Sequence, residues 1–198
     1  MSRPGFLFIR HGETEWNREG RLQGQRDIPL NGRGRSQADE AGRRTAALLR
    51  SAGVEPGEAR FVVSPLGRAR ETAERMRVAM ALPAAGYDLD DRLTELSFGA
   101  WEGFTWPELK GREPIRVRVR KADKWHFVPP GGESYADLAE RVRPWLDTVT
   151  ERLVVVAHGG VARALMVLAG GVSQIAAPDT DVLQGQVLVF ADGGTRWR

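Results

Sequence analysis

The stretch FLFIRHGETEWN, from Phe6 to Asn17, contains a short apolar run that ends at an arginine and a histidine. Its opening part, Phe6–Ile9, is continuously apolar, which is typical of a strand buried on both faces of a sheet. Arg10 then stands directly before His11, and a neighbouring guanidinium disfavours a protonated imidazole. Because a cationic pocket suits an anion, the sequence indicates an anion-binding site at the end of this strand.

Three more apolar runs have the same character: Phe61–Val63, Leu153–Ala157 and Val187–Phe190. Sequences with helical capping residues separate them. A chain in which a helix follows most strands predicts a layered α/β fold, in which helices cover a largely parallel sheet. For 198 residues we expect a single domain.

Local signals predict where the helices begin and end. The first helix has Asn31 as its N-cap and ends at Gly53. The second has Ser64 as its N-cap and Pro65 at its first helical position. Two more are expected, one over about residues 134–152 and one after the AHGG motif.

The segment over about residues 99–132 interrupts this alternation, and we expect it to leave the sheet and lie near the candidate site. Arg116, Arg118 and Arg120 alternate as one side of an exposed strand would. Two interpretations of the basic stretch from Arg112 to Lys124 stay open. It is either a solvated face or a set of cations above the pocket that select ligands with a second anionic group.

The composition limits the class of protein. With 41% hydrophobic and 28% charged residues and no apolar run long enough to cross a bilayer, the chain is typical of a soluble globular protein. The residues before Phe6 contain no secretory signal, so we expect a cytoplasmic protein that binds no membrane. Its 29 cationic and 26 anionic side chains do not predict a nucleic-acid-binding face.

Two other motifs bring cations to the ends of strands. His158 directly follows the third apolar run, and Arg68, in SPLGRARET, lies near the start of the helix after the second. Since the carboxyl ends of parallel strands meet at one edge of a sheet, we expect both to join Arg10 and His11. The chain has no cysteine and no closely spaced histidine and carboxylate ligands, so we predict no metal site.

This group of residues suits phosphoryl transfer without a metal. The reaction needs positive charge around the phosphoryl oxygens, an in-line nucleophile and an acid for the leaving alkoxide. Arg10, Arg68 and His158 could supply the charge, and a neutral His11 could attack phosphorus. The acid should be a carboxyl group with a raised pKa. The best candidate is Glu95, in LTELSFGAWEG, and its rivals are Glu13, Glu102 and Glu133.

Five motifs carry a resemblance to a known family: RHGETEWN, SPLGRARET, ELSFGAWEG, PGGES and AHGG. In this order they resemble the histidine phosphatase superfamily, the phosphoglycerate mutase-like proteins, over about residues 6–168. The resemblance implies a three-layer α/β/α fold with a mostly parallel central sheet. It also implies a phosphohistidine at His11, a phosphate pocket of Arg10, Arg68 and His158, and Glu95 as proton donor and later acceptor. Substrate-binding positions implied in the same way are Asn17, Thr14, Gln23 and Gly24.

Within this family, the HGG and FGAWEG motifs resemble the phosphatase branch, whereas cofactor-dependent mutases more often show HGN. We therefore expect a metal-independent phosphomonoesterase, a phosphoric monoester hydrolase that needs no cofactor and acts on a small phosphorylated metabolite. Two alternatives stay open, a cofactor-dependent phosphoglycerate mutase and a non-catalytic protein that binds phosphoanions. The sequence specifies neither the substrate nor the oligomeric state, for which a homodimer is one option.

Overall fold

The computed structural model describes residues 5–198, and its helices alternate with the strands of one sheet. The strands are β1 (Phe6–Arg10), β2 (Arg60–Val63), β3 (Asp88–Leu89), β4 (Leu153–Ala157), β5 (Leu188–Ala191) and β6 (Gly194–Trp197). The helices are α1 (Glu15–Arg18), α2 (Gly32–Ser51), α3 (Gly67–Ala79), α4 (Trp106–Arg112), α5 (Pro114–Ala122), α6 (Tyr135–Asp147) and α7 (Gly159–Ala169).

The strands are ordered β3-β2-β4-β1-β5-β6 across the sheet. Strands β3, β2, β4 and β1 are parallel to one another. At one side of the sheet, β5 runs antiparallel to β1, and β6 runs antiparallel to β5. Arg10 lies opposite Ala157, and Val63 lies opposite Val156, so β1, β2 and β4 end at nearly the same level. The residues that follow these strands are therefore collected at one edge of the sheet.

Each face of the sheet is covered by its own hydrophobic core. On one face Phe8 and Val155 pack with side chains of α6 and α7, among them Leu138 and Leu165. On the other face the strands pack against α2 and α3. The three-layer α/β/α fold with a mostly parallel central sheet is confirmed. No helix in residues 5–198 is long and apolar enough to cross a membrane.

The predicted start of the second helix was wrong. Helix α3 begins at Gly67, not at Pro65, and the side chain of Ser64 does not cap it. The backbone N–H of Gly67 instead donates to Asp27 Oδ2 at 2.9 Å, so a carboxylate from a distant loop occupies the helix N-terminus. Ser64 is left to bond elsewhere.

The basic segment also folds differently from its predicted strand. Residues 114–122 form helix α5, with Pro114 in the first turn. A lone exposed strand would have no neighbour for its backbone hydrogen bonds, whereas a helix forms them internally. Helix α6 likewise ends at Asp147 instead of about residue 152, and the chain is extended again by Leu153, at the start of β4.

Two glycines allow the loop after β1 to lie directly on the first turn of α2. A Cβ on Gly12 would lie 2.2 Å from the carbonyl oxygen of Gly34, and one on Gly34 would lie 2.1 Å from the carbonyl oxygen of Glu13. Neither contact tolerates a methyl group, because both obstacles are backbone atoms. The His11 loop is thus positioned by close backbone packing.

We predict that Gly34→Ala destabilises the protein by about 1–3 kcal/mol, because the extra methyl group pushes the loop from the helix. Gly32→Ala is the matched control, since a Cβ there would meet nothing within 4 Å. Urea unfolding of both variants measures the difference. Equal stability of the two variants would show that this close packing is unimportant.

Candidate active site

His11, at the end of β1, presents one ring nitrogen to the site. Its Nδ1 lies 2.8 Å from the carbonyl oxygen of Gly12, which can only accept, so Nδ1 carries the proton. Arg68 Nε donates to Nε2 at 3.3 Å. The lone pair of Nε2 therefore faces the guanidinium group, where an anion would bind.

Electrostatics keep this imidazole neutral. Burial lowers the pKa of His11 well below 6.5, and the charges of Arg68 and Arg10 lower it further. Only 2% of the residue is exposed. A neutral histidine beside two guanidinium groups retains a lone pair that a protonated one would lack.

Both guanidinium groups are held by backbone carbonyl groups. Arg68 donates from Nη1 to Arg26 O at 2.6 Å and from Nη2 to Gly24 O at 2.7 Å. Arg10 Nη1 donates to Val182 O at 2.9 Å, while its Nε is buried without a partner. Within residues 5–198 neither group forms an ion pair with a carboxylate. Both charges are thus available to an anion.

His158, the residue after β4, lies beside His11 with ring centroids 5.2 Å apart. Its Nε2 lies 2.7 Å from Ser64 Oγ, and its Nδ1 is buried without a partner in the described chain. Burial lowers the pKa of His158 well below 6.5, and Arg68 lowers it further. Ser64 thus orients this ring, and the free Nδ1 can bond to a ligand.

Glu95 brings a carboxylate to the same edge of the sheet. It accepts from the backbone N–H of Gly160, in the first turn of α7, at 3.0 Å and from that of Leu96 at 2.8 Å. Burial lowers the pKa of Arg10 to about 10, and the negative charge of Glu95 opposes this shift. Glu95 is therefore close enough to interact with the cations of the site.

The three rival carboxylates each have other partners. Glu133 forms a two-pronged ion pair with Arg141, whose Nη1 also bonds to the carbonyl groups of Arg92 and Thr94, just before Glu95. This pair therefore supports the loop that carries Glu95. Glu13 accepts from Asn31 and pairs with Arg33. Glu102 accepts from the backbone N–H groups of Gln25 and Phe98 and pairs with Arg26.

The four predicted substrate-binding residues have different surroundings. Asn17 Oδ1 accepts from the Thr14 N–H at 3.2 Å, so its side chain is tied to the first turn of α1. Thr14 is fully buried and caps α1. Gln23 is buried with Oε1 unpartnered, and Gly24 positions Arg68 through its carbonyl group. Contact of any of these with a substrate stays a prediction.

The sequence analysis missed three further residues. Ser64 orients His158, and Gln184 Nε2 donates to His11 O at 3.2 Å and to Asn17 Oδ1 at 3.1 Å. Arg163, on α7, is the third. Arg163 lies one turn after Gly159, and this spacing was a signal that it faces the edge of the sheet where the histidines lie. Gln184 follows no recognisable motif.

The geometry of a neutral imidazole lone pair surrounded by cations, with a carboxylate beside them, is that of a pocket for phosphoryl chemistry. The chain belongs to the histidine phosphatase superfamily (branch 1), whose family model matches residues 6–198. The resemblance predicted from the motifs is confirmed. In residues 5–198 no three His, Asp or Glu side chains are grouped so that they could hold a metal ion.

Relatives of known name have several activities. A bifunctional protein of Mycobacterium tuberculosis is 38% identical over 143 residues, which are 72% of this chain and 36% of that protein. A metal-independent phosphoserine phosphatase of Arabidopsis thaliana is 33% identical, over 80% of this chain and 66% of that protein. A probable phosphoglycerate mutase of Salmonella paratyphi C is 35% identical, over 76% of this chain and 67% of that protein. The chain thus spans about a third of the mycobacterial relative and about two thirds of the others.

Solved structures of similar fold include phosphatases. The α-ribazole phosphatase of Shigella flexneri has a TM-score of 0.78 at 25% identity, covering 98% of this chain and 94% of that one. A mycobacterial glucosyl-3-phosphoglycerate phosphatase, in a complex with VO3, has a TM-score of 0.76 at 28% identity, covering 100% and 97%. The fold is therefore shared over nearly the whole length of these phosphatases.

We predict that the free energy of unfolding decreases as pH falls from about 6.5 to 5. His11 and His158 are held neutral in the folded state, whereas in the unfolded chain they bind protons below their ordinary pKa of 6.5. Acid therefore favours the unfolded state, by up to about 1.4 kcal/mol per pH unit for each histidine. Urea titrations at several pH values measure this slope.

The double variant His11→Asn/His158→Asn should flatten the slope, because it removes both buried groups. His126→Asn, which removes the third and largely exposed histidine together with its contact to Asp123, is the comparison, and the double variant should flatten the slope more than it does. A wild-type protein equally stable at pH 5 and pH 6.5 would contradict the buried neutral state of the two rings.

Proposed function

We propose that this protein is a metal-independent phosphomonoesterase that hydrolyses small phosphorylated metabolites through a phosphohistidine at His11. The observation that carries the proposal is the unprotonated Nε2 of His11, which faces the guanidinium group of Arg68. A binding protein for phosphate has no use for a neutral nucleophile there, since a protonated histidine would attract the anion more strongly.

In the first step, the phosphoryl group of the substrate lies above His11 Nε2. Arg68, the free Nε of Arg10 and the free Nδ1 of His158 bind its oxygens and stabilise the charge of the transition state. The Nε2 lone pair forms the new bond to phosphorus, and the ester P–O bond breaks. The leaving oxygen takes a proton from Glu95, which we propose as the general acid of this step.

In the second step, water attacks the phosphohistidine. Glu95, now a carboxylate, accepts a proton from that water, and the P–N bond breaks to release inorganic phosphate and neutral His11. The hydrogen bond from Nδ1 to Gly12 O keeps the ring in one orientation through both steps. Over the two steps Glu95 gives up one proton and takes one back, so the cycle balances.

The names of the relatives support hydrolysis of a phosphomonoester, but they leave open whether the phosphoryl group is transferred to another hydroxyl group. Three of those described above are phosphatases, and one carries the name of a mutase. A mutase would pass the phosphoryl group from His11 to a hydroxyl group of the substrate instead of to water. A bisphosphoglycerate primer in the assay distinguishes the two outcomes.

We expect 32P from a labelled phosphomonoester to be trapped on His11 as an acid-labile, alkali-stable adduct. His11→Ala should lower turnover by several orders of magnitude, because it removes the nucleophile. Rapid quenching followed by peptide mapping identifies the labelled residue. Label on another residue would refute the proposed intermediate, and binding of phosphate without hydrolysis of any ester would refute the enzyme.

The same assay includes an arm with excess EDTA. Arg10 and Arg68 supply the positive charge that a divalent metal would otherwise supply, and neutral His158 adds a hydrogen bond, so chelation should leave the rate nearly unchanged. A rate that collapses on chelation and recovers with added Mg²⁺ would contradict this part of the proposal.

We predict that Glu95→Gln slows alkyl phosphate hydrolysis by on the order of 10²-fold or more, because an alkoxide must be protonated as it leaves. The initial burst with a nitrophenyl phosphate should fall much less, since nitrophenolate is a stable leaving group. The amide retains an oxygen for the Gly160 N–H, so the loop stays in place.

Pre-steady-state bursts with both esters, in the wild type and the variant, provide the measurement. Equal losses for the two esters would mean that Glu95 only orients the substrate, and another carboxyl group would then have to supply the proton.

A further inference from the structure

We propose that Glu102 is a positioning residue that holds two loops of the active site together. The Glu95 loop (residues 94–98) carries the proposed acid, and the Gly24 loop (residues 23–27) holds the guanidinium group of Arg68. This inference rests on the proposed phosphatase function and adds a residue to its machinery. Glu102 was a rival of Glu95 for the role of the acid, and its contacts indicate a different task.

The carboxyl group of Glu102 is largely withdrawn from water, with 9% of the side chain exposed. The backbone beside it pairs with a distant segment. Gly103 N–H donates to Leu22 O at 2.8 Å, and Leu22 N–H donates to Phe104 O at 3.0 Å. This pairing places Glu102 against the Gly24 loop.

One oxygen of Glu102 accepts hydrogen bonds from both loops. Its Oε1 accepts from the backbone N–H of Gln25, in the Gly24 loop, at 3.1 Å. It also accepts from the N–H of Phe98 at 3.2 Å and from the hydroxyl group of Ser97 at 3.5 Å. Ser97 and Phe98 belong to the Glu95 loop, so a single oxygen joins the two loops.

The bond to Gln25 acts on the group that holds Arg68. The N–H of Gln25 and the carbonyl group of Gly24 belong to one planar, trans peptide unit, in which they point in opposite directions. Glu102 accepts from one side of this unit, and Arg68 Nη2 donates to the other side at 2.7 Å. A shift of Glu102 therefore rotates the acceptor that directs Arg68.

Glycine at position 24 allows this close approach. Its φ of +52° lies in the left-handed region, and a Cβ there would overlap Glu102 Oε1. The carboxylate thus lies directly against the backbone that it orients. Its negative charge also opposes the lowering of the pKa of Arg68 by burial.

The Glu95 loop is held on both sides of its carboxyl group. Arg141 donates to the carbonyl group of Thr94, before Glu95, at 3.0 Å. Glu102 accepts from the two donors after it, and Gln25 Nε2 donates to Glu95 O at 3.1 Å. The two loops therefore touch each other beside Glu102, and the carboxylate fixes their relative position.

Positioning and proton donation require different properties of Glu102. An oxygen that only accepts hydrogen bonds can be replaced by the amide oxygen of glutamine at the same reach. A proton donor must keep an ionisable carboxyl group. The two roles therefore predict opposite orders of activity for a glutamine and an aspartate at this position.

The test compares Glu102→Gln, which keeps an oxygen at the same reach, with Glu102→Asp, which keeps the charge on a shorter side chain, and with Glu102→Ala. We expect kcat/KM for an alkyl phosphate to stay within about tenfold of the wild type in Glu102→Gln. It should fall by on the order of 10²-fold in the other two, because the reacting groups are misplaced. Glu140→Ala, on the exposed face of α6, is the control and should match the wild type.

Two further measurements report on the two loops separately. Calorimetric binding of inorganic phosphate reports on Arg68, and we expect it to weaken by about tenfold in Glu102→Asp and Glu102→Ala. The ratio of alkyl to nitrophenyl burst rates reports on Glu95 and should fall in the same variants. A loss of stability alone would lower the burst amplitude and leave both measurements unchanged.

Each other outcome contradicts a stated part of the inference. More activity in Glu102→Asp than in Glu102→Gln would refute positioning and favour the acid role. A change in only one of the two measurements, or in none, would refute the link between the loops and leave the phosphatase intact. If Glu102→Ala does not fold, the order of the other two variants decides. Absence of hydrolysis of any ester by the wild type would overturn the phosphatase and this inference with it.

Discussion

The guanidinium groups of Arg10 and Arg68, largely withdrawn from water and without a carboxylate partner in residues 5–198, are the constraint on which the rest of the site depends. Burying a charge is costly unless polar groups replace water around it. Here carbonyl oxygens of Gly24, Arg26 and Val182 replace water without cancelling the charge. That positive charge adds to the burial that keeps His11 and His158 neutral, and the charge of Glu95 opposes part of its effect on Arg10.

Much of this arrangement could be predicted from the sequence, because its signals are local. A continuous apolar run followed at once by His11 or His158 indicates a buried parallel strand with a polar residue at its carboxyl end. The four apolar runs each form a strand, and the register of β1 against β4 brings the two histidines together. Arg68 was found in the same way, through its position after β2.

The remainder depends on contacts between distant segments. Nothing near Ser64 shows that its hydroxyl group will meet His158 and that Asp27 will cap α3 in its place. The strands β3 and β6 are short and polar, so no apolar run marks them. The alternating arginines of α5 suggested a strand. An alternating pattern does not show whether a neighbouring strand is present to form the backbone hydrogen bonds that a strand needs.

The position of β1 in the sheet determines the order in which the site can assemble. β1 precedes the other strands of the sheet in sequence, yet both of its neighbours, β4 and β5, follow β2 and β3. Val182, which holds Arg10, is 172 residues away from it. The groups that hold Arg68 and His11, by contrast, lie before β3 in the sequence. The two guanidinium groups of the pocket are therefore fixed by parts of the chain that are far apart in sequence, and they meet only when β4 and β5 have closed around β1.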